Sequence, residues 1–127
     1  MDAQSVTEEQ LLAMKPEDYD RLTFGIIELD LAGDVVGFNA VEQRLARMSE
    51  AETLGRNFWT DVAPCTDNDK FRALVDGLLD RDDKDEVRFE YVFQFAWGER
   101  RVRIRALRVR ERRWLFVTPL GRTRDDT

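Results

Sequence analysis

Nine residues narrow the fold most: Val87-Arg88-Phe89-Glu90-Tyr91-Val92-Phe93-Gln94-Phe95. Successive side chains of a β-strand point to opposite sides, so Phe89, Tyr91, Phe93 and Phe95 share one face. Four rings on one face require a core to receive them. Val102-Arg103-Ile104-Arg105-Ala106 alternates again, with arginine on the outer side, and Trp114-Leu115-Phe116-Val117 follows a charged turn. Upstream, 24–30 and 35–38 are strand-like around a tight turn at Ala32-Gly33-Asp34, which predicts a hairpin. Two strands, several helices and then three strands predict an α+β domain: a five-stranded antiparallel sheet with its helices grouped to one side.

The helices are read from caps and periodicity. Thr7 caps a short amphipathic helix over 7–14, with Gln10 at the capping-box position. Asn39 caps a helix over 40–48 whose apolar side carries Val41, Leu45 and Met48. Glu42 falls beside Phe38, Leu45 and Ala46 at three-and-four spacing, so it either faces inward or lies on the surface, the usual place for a glutamate. The stretch 55–62 reads as a linker with a helical turn that Pro64 closes. Thr66 or Asp67 is expected to cap a helix with Phe71, Leu74, Val75, Leu78 and Leu79 on its apolar face.

With 127 residues the chain is one domain in size, long enough to bury a core unaided. It contains no histidine, which excludes a Ser-His-Asp or Cys-His arrangement and histidine-ligated haem or zinc. Binding or sensing is expected rather than enzymatic catalysis, with no metal. The net charge of −6 argues against nucleic acid as a partner. No run approaches the roughly 20 apolar residues of a membrane span. The start lacks a secretion signal, and one cysteine forms no intrachain disulfide, so a cytoplasmic location is expected. Residues 100–113 hold eight arginines against Glu111. No aromatic residues alternate with them to stack bases, and the acidic N-terminal segment is expected to cover that sheet face.

The single cysteine, Cys65, follows Pro64. A helix beginning just after it would favour the thiolate and make the sulfur a better nucleophile. A lone cysteine is otherwise a small buried hydrophobe.

The segment Asn57-Phe58-Trp59-Thr60-Asp61-Val62-Ala63-Pro64-Cys65-Thr66-Asp67 resembles the chromophore-attachment segment of the photoactive yellow proteins, blue-light receptors of the PAS fold. The resemblance spans roughly 22–117, through Phe24-Gly25, Phe38-Asn39-Ala40-Val41-Glu42, Phe89-Glu90-Tyr91 and Trp114-Leu115-Phe116-Val117. It implies a p-coumaric acid (4-hydroxycinnamoyl) group held as a thioester on Cys65, and no haem. It also implies a protonated glutamic acid at Glu42 that donates a hydrogen bond to the chromophore phenolate. The implied pocket takes in Phe38, Ala46, Val62, Ala63, Thr66, Phe93, Phe95 and Trp97.

This chain departs from the family at several of those positions. The tyrosine that shares the phenolate hydrogen bond is Phe38, its supporting threonine is Ala46, and the gating arginine is Met48, with Arg47 adjacent as a second candidate gate. Neighbouring tyrosine and methionine positions hold Phe95 and Trp97. The resemblance further implies an N-terminal helical cap over 1–21 whose release signals, a PAS domain over 22–120, and a charged tail over 121–127. A downstream signalling protein is implied but not identified, and a homodimer is allowed. The alternatives are a chromophore-free PAS module that binds a partner or dimerises, and a redox sensor or acyl carrier using the same thiol.

Overall fold

The computed structural model describes residues 2–79 and 85–121. Five antiparallel strands form one sheet in the order β2-β1-β5-β4-β3: β1 Gly25–Leu29, β2 Val35–Phe38, β3 Glu86–Phe95, β4 Gly98–Val109 and β5 Arg112–Pro119. The β1–β2 hairpin turns through Gly33, whose φ of +87° suits a residue without a Cβ. A Cβ there would also stand 2.5 Å from Nε1 of Trp59. The aromatic alternation of β3 delivers Phe89, Tyr91, Phe93 and Phe95 to one core, together with Ile104, Ala106, Leu115 and Val117 of its neighbours.

Between β2 and β3 lie α3 (Ala40–Ala46), α4 (Glu50–Thr53), a π-helical turn (Phe58–Val62), a 3-10 turn (Pro64–Thr66) and α5 (Arg72–Asp76). The Asn57 side chain accepts from the N–H groups of Trp59 and Thr60, which starts the π turn and commits Phe58 and Trp59 to the core. Phe71 is fully buried, with the rings of Phe58, Trp59, Phe89, Tyr91 and Phe93 5.0–6.0 Å from its own.

The helix after the cysteine differs from expectation. Neither Thr66 nor Asp67 caps it; α5 begins at Arg72, a 3-10 turn follows over Gly77–Leu79, and Leu74 is 38% exposed. Asn68 accepts from the N–H groups of Lys70 and Phe71 and holds the intervening chain in a turn. Local side-chain acceptors of this kind compete with helix formation. The side chain of Leu79, most of the charged loop, and the tail beyond Gly121 lie outside the described residues.

The outer face of the sheet carries a second apolar cluster: Phe24, Ile26, Leu107, Val109, Trp114 and Phe116, covered by Ala3, Val6 and Leu11. Leu11 belongs to α1 (Glu8–Ala13), which has the Thr7–Gln10 capping box and is followed by the short α2 (Pro16–Tyr19). Arg105 is buried beneath this segment and donates to the carbonyls of Ala3 (3.3 Å) and Val6 (2.5 Å) and to Glu86. The N-terminal segment therefore covers the outer face at Arg105, through apolar burial and backbone carbonyls, while Arg101 and Arg103 of the same face, and Glu8 and Glu9, stay in solvent. Arg113 lies on the opposite, inner side, fully buried and ion-paired with Asp76. Among the described residues no helix is long and apolar enough to cross a membrane.

Candidate functional site

Asn39 organises the site by occupying the N-cap of α3. Its Oδ1 accepts from the N–H of Glu42 at 3.0 Å and from the N–H of Ile26 at 2.9 Å. Its amide nitrogen donates to the carbonyls of Tyr19 at 2.8 Å and Phe24 at 3.1 Å. One side chain thus ties the helix to β1 and to the N-terminal segment. The helix turns Glu42 inward, where it is 2% exposed. Oε2 of Glu42 has no hydrogen-bond partner among the described residues. Burial without compensation favours the neutral acid, and the Glu42 carboxyl is pushed up to about 8, tempered by the charge of Arg100.

Glu42 lines a cavity of about 10 Å³ with Phe38, Ala46, Met48, Val62, Ala63, Phe93 and Phe95. Ile27 and Phe58 complete its wall; Phe58 lies in the attachment segment but outside the expected pocket set, and Ile27 carries no motif that marks it in sequence. Six of the expected pocket residues therefore line one space. Thr66 is buried beside it but spends its hydroxyl on the carbonyl of Ala63, at 2.7 Å. Trp97 stands outside the lining and stacks on Phe95, ring centroids 5.1 Å apart and 13° between planes. Of the two candidate gates, Met48 is in the wall and Arg47 lies over Trp97, 4.2 Å from the ring centroid.

Cys65 sits in the 3-10 turn, half-buried against the same core cluster. The N–H of Gln94 donates to its sulfur at 3.4 Å. Its carbonyl accepts from Tyr91 Oη and from Asn68 Nδ2, the latter at 2.9 Å. With α5 starting seven residues later, the α-helix N-terminus expected beside the sulfur is absent; β3 supplies the donor instead.

A chromophore can be tested against this site by its donors and its room. The donors fit: a buried carboxyl with its Oε2 unpartnered lies in the wall of an apolar cavity, and the chain runs from Val62 and Ala63 in that wall to a thiol. Phe38 offers no hydroxyl to share the task. A cavity of this size holds about one water, whereas a dry cavity of about 150 Å³ accepts benzene. A ring enters only when side chains of the wall give way. Among the described residues no cluster of His, Cys, Asp or Glu could hold a metal ion.

An antiparallel sheet with helices on one face, an N-terminal cover on the other and a buried acid in the helical layer is the architecture of a PAS domain. The comparisons narrow the class. No family model matches the chain. Photoactive yellow protein of Halochromatium salexigens is 32% identical over 120 residues, covering 89% of this chain and 91% of that protein. That of Rhodothalassium salexigens is also 32% identical, over 112 residues, covering 87% and 89%. The crystal structure of the photoactive yellow protein domain from the sensor histidine kinase Ppr of Rhodospirillum centenum superposes with a TM-score of 0.80 at 32% identity, covering 88% of this chain and 99% of that one. The chain belongs to the photoactive yellow protein family.

Proposed function

We propose that the protein is a blue-light receptor of the cytoplasm, not an enzyme, carrying a p-coumaroyl thioester on Cys65. The observation that carries this reading is the Glu42 carboxyl, buried in an apolar wall with its Oε2 unpartnered among the described residues. Keeping an acid in that condition is costly unless something is offered its proton. Acylation would join the Cys65 sulfur to the carbonyl carbon of an activated coumaroyl compound, with the activating group leaving and the thiol proton passing to solvent. When bound, the group supplies absorption of blue light and a double bond that isomerises.

The remaining roles belong to the chain. Glu42 holds its proton at the carboxyl and donates it as a hydrogen bond to a phenolate oxygen. Phe38 cannot second that bond, so one hydrogen bond to a charged oxygen, worth about 1.5–3 kcal/mol, is forgone. Gln94 N–H fixes the sulfur, and Tyr91 and Asn68 fix the turn that bears it. Once Glu42 gives up its proton, a carboxylate is left in an apolar interior, and that charge strains the helix that carries it. The strain reaches the N-terminal segment over 1–21 through Asn39, which grips Tyr19, and through Asp20, whose carboxylate accepts from the N–H of Ala40 at 2.7 Å. Freeing this segment exposes the outer sheet face to a downstream signalling protein or to a second copy of the chain.

The test is reconstitution with p-coumaric anhydride. The expected result is a visible absorbance band and a gain of one coumaroyl mass, both lost in Cys65→Ser. No band and no mass gain would overturn the reading.

The water-sized cavity favours one second reading, a chromophore-free PAS module that signals by partner binding or dimerisation. It expects the protein to stay colourless and Cys65→Ala to change nothing.

A further inference from the structure

β3 stands at one margin of the sheet and is hydrogen-bonded to β4 alone. In an antiparallel pair, successive residues turn their backbone groups alternately toward the neighbouring strand and away from it. The two-residue turn from Phe95 to Gly98 sets the phase: odd-numbered residues of β3 bond to β4, and even-numbered ones face out of the sheet. Gln94 follows this rule, since its N–H donates to the Cys65 sulfur instead of to β4. Glu86, Arg88, Glu90 and Val92 therefore present backbone N–H and C=O groups outward, and none of these has a backbone partner among the described residues. Grooves of about 370 Å³ beside Gln4, Arg88 and Phe89, and of about 470 Å³ beside Val92, Asn68 and Lys70, leave the strand open to approach. An open edge is a template for another strand unless charge repels it. Here the charges on the outer face of the edge have opposite signs two residues apart, with the side chains of Arg88 and Glu90 46% and 57% exposed.

We infer that the β3 edge is an interface with a second copy of this chain, the two strands pairing antiparallel about a two-fold axis at Phe89. About that axis Arg88 lies opposite the partner's Glu90, and Glu90 opposite the partner's Arg88, so the contact is self-complementary. Both residues of each pair face outward, as the exchange of N–H···O=C bonds requires. The Glu90 carboxylate, 3.3 Å from Arg103 in its own chain, comes to stand between two guanidinium groups. On the other face half-buried Phe89 meets the partner's Phe89, and Val87 lies opposite the partner's Tyr91, which removes apolar edge surface from water. Neighbouring registers fail. An axis at Arg88 or at Glu90 sets like charges opposite each other, which destabilises a strand pair. An axis at Val87 leaves only 86–88 of the strand paired, and one at Tyr91 calls on the Gln94 N–H that the sulfur already holds. The edge is separate from the outer face beneath the N-terminal segment, so this pairing needs no release of that segment and does not rest on the light-receptor reading.

Sedimentation equilibrium of the full chain, at concentrations up to about 1 mM, the weak end of specific association, tests the pairing. The wild type is expected to dimerise reversibly. Arg88→Glu and Glu90→Arg each set like charges opposite in both halves of the contact and should weaken the dimer roughly tenfold or more. An equimolar mixture of the two variants should regain it, because one strand then carries two acids and the other two arginines. The double variant Arg88→Glu, Glu90→Arg exchanges the charges within one strand; it should dimerise like the wild type, and it secures the test if either single variant does not fold. A monomeric wild type, single variants as dimeric as the wild type, or a charge exchange that restores nothing would overturn the interface.

Discussion

Gly25 and Glu42 share one space: a Cβ placed on Gly25 would lie 2.0 Å from Oε2 of Glu42 and 3.2 Å from its Cβ. The buried acid therefore lies flat against the backbone of β1, and the strand leaves room for it by carrying no side chain at that point. Gly25→Ala should destabilise the fold by about 1–3 kcal/mol, the range for overpacking a core. The contact is with one side chain, so Glu42→Ala in the same chain should recover much of the loss. Chemical denaturation of the two single variants and the double variant checks this, and strict additivity would exclude the contact.

Glu42 also makes stability depend on pH. Its carboxyl titrates near 4.5 in an unfolded chain and at about 8 here, raised by burial and partly offset by Arg100. Between those values the folded state holds a proton that the unfolded state has lost. The contribution is complete below pH 4.5 and is lost as pH rises to about 8, at a slope approaching 1.4 kcal/mol per unit. Glu28, raised by its own burial, slopes the same way. Urea unfolding of the wild type and of Glu42→Gln isolates the Glu42 part: the difference between them should shift in favour of Glu42→Gln across this window. A constant difference would contradict a buried neutral acid.

Asn39 serves two masters, and the two can be separated. Asn39→Ala removes the helix cap and the tether together and should cost about 2 kcal/mol. Asn39→Asp keeps the acceptor for the N–H groups of Ile26 and Glu42 while losing both donations, to Tyr19 and Phe24. It should loosen the N-terminal segment in preference to α3. Hydrogen exchange would report this as faster exchange over residues 6–24 than over 42–46.

The ion pair of Arg113 with Asp76 is asymmetric, since Arg113 is wholly buried and the Asp76 side chain is 38% exposed. Arg113 also donates to the carbonyls of Asp30 at 2.7 Å and Leu31 at 3.4 Å. Asp76→Asn strands a buried cation and should cost about 3 kcal/mol, the low end for breaking such a pair because one partner still meets water. Arg113→Met removes the cation itself and should cost less. Thermal melts of the two variants rank them, and the reverse order would show that the carbonyl contacts outweigh the charge.

Features that depend on residues a few positions apart could be read from the chain alone. The Thr7–Gln10 box, the Asn39 cap, the turn at Gly33 and the alternating rings of β3 all use partners within four residues, so spacing suffices. The inward turn of Glu42 was available as one of two readings, and the helical period could not choose between them. Other features were illegible because their partners lie far away in sequence. Arg105 and Arg113 have the same side chain and sit in neighbouring strands, yet one lies under Val6 and the other against Asp76. The start of α5 was missed because Asn68 spends its side chain on a turn, and a periodic apolar pattern does not register that competition.

The order of apolar and polar residues settles which faces of these strands must be dry, because each side chain's direction follows from backbone geometry alone. Whether an arginine is buried, how small the space beside Glu42 is, and which guanidinium stands near it depend on segments that meet only when the sheet closes. Arg100 reaches the end of α3 across more than fifty residues of chain, and desolvation, unlike periodicity, is a property of everything packed around a group.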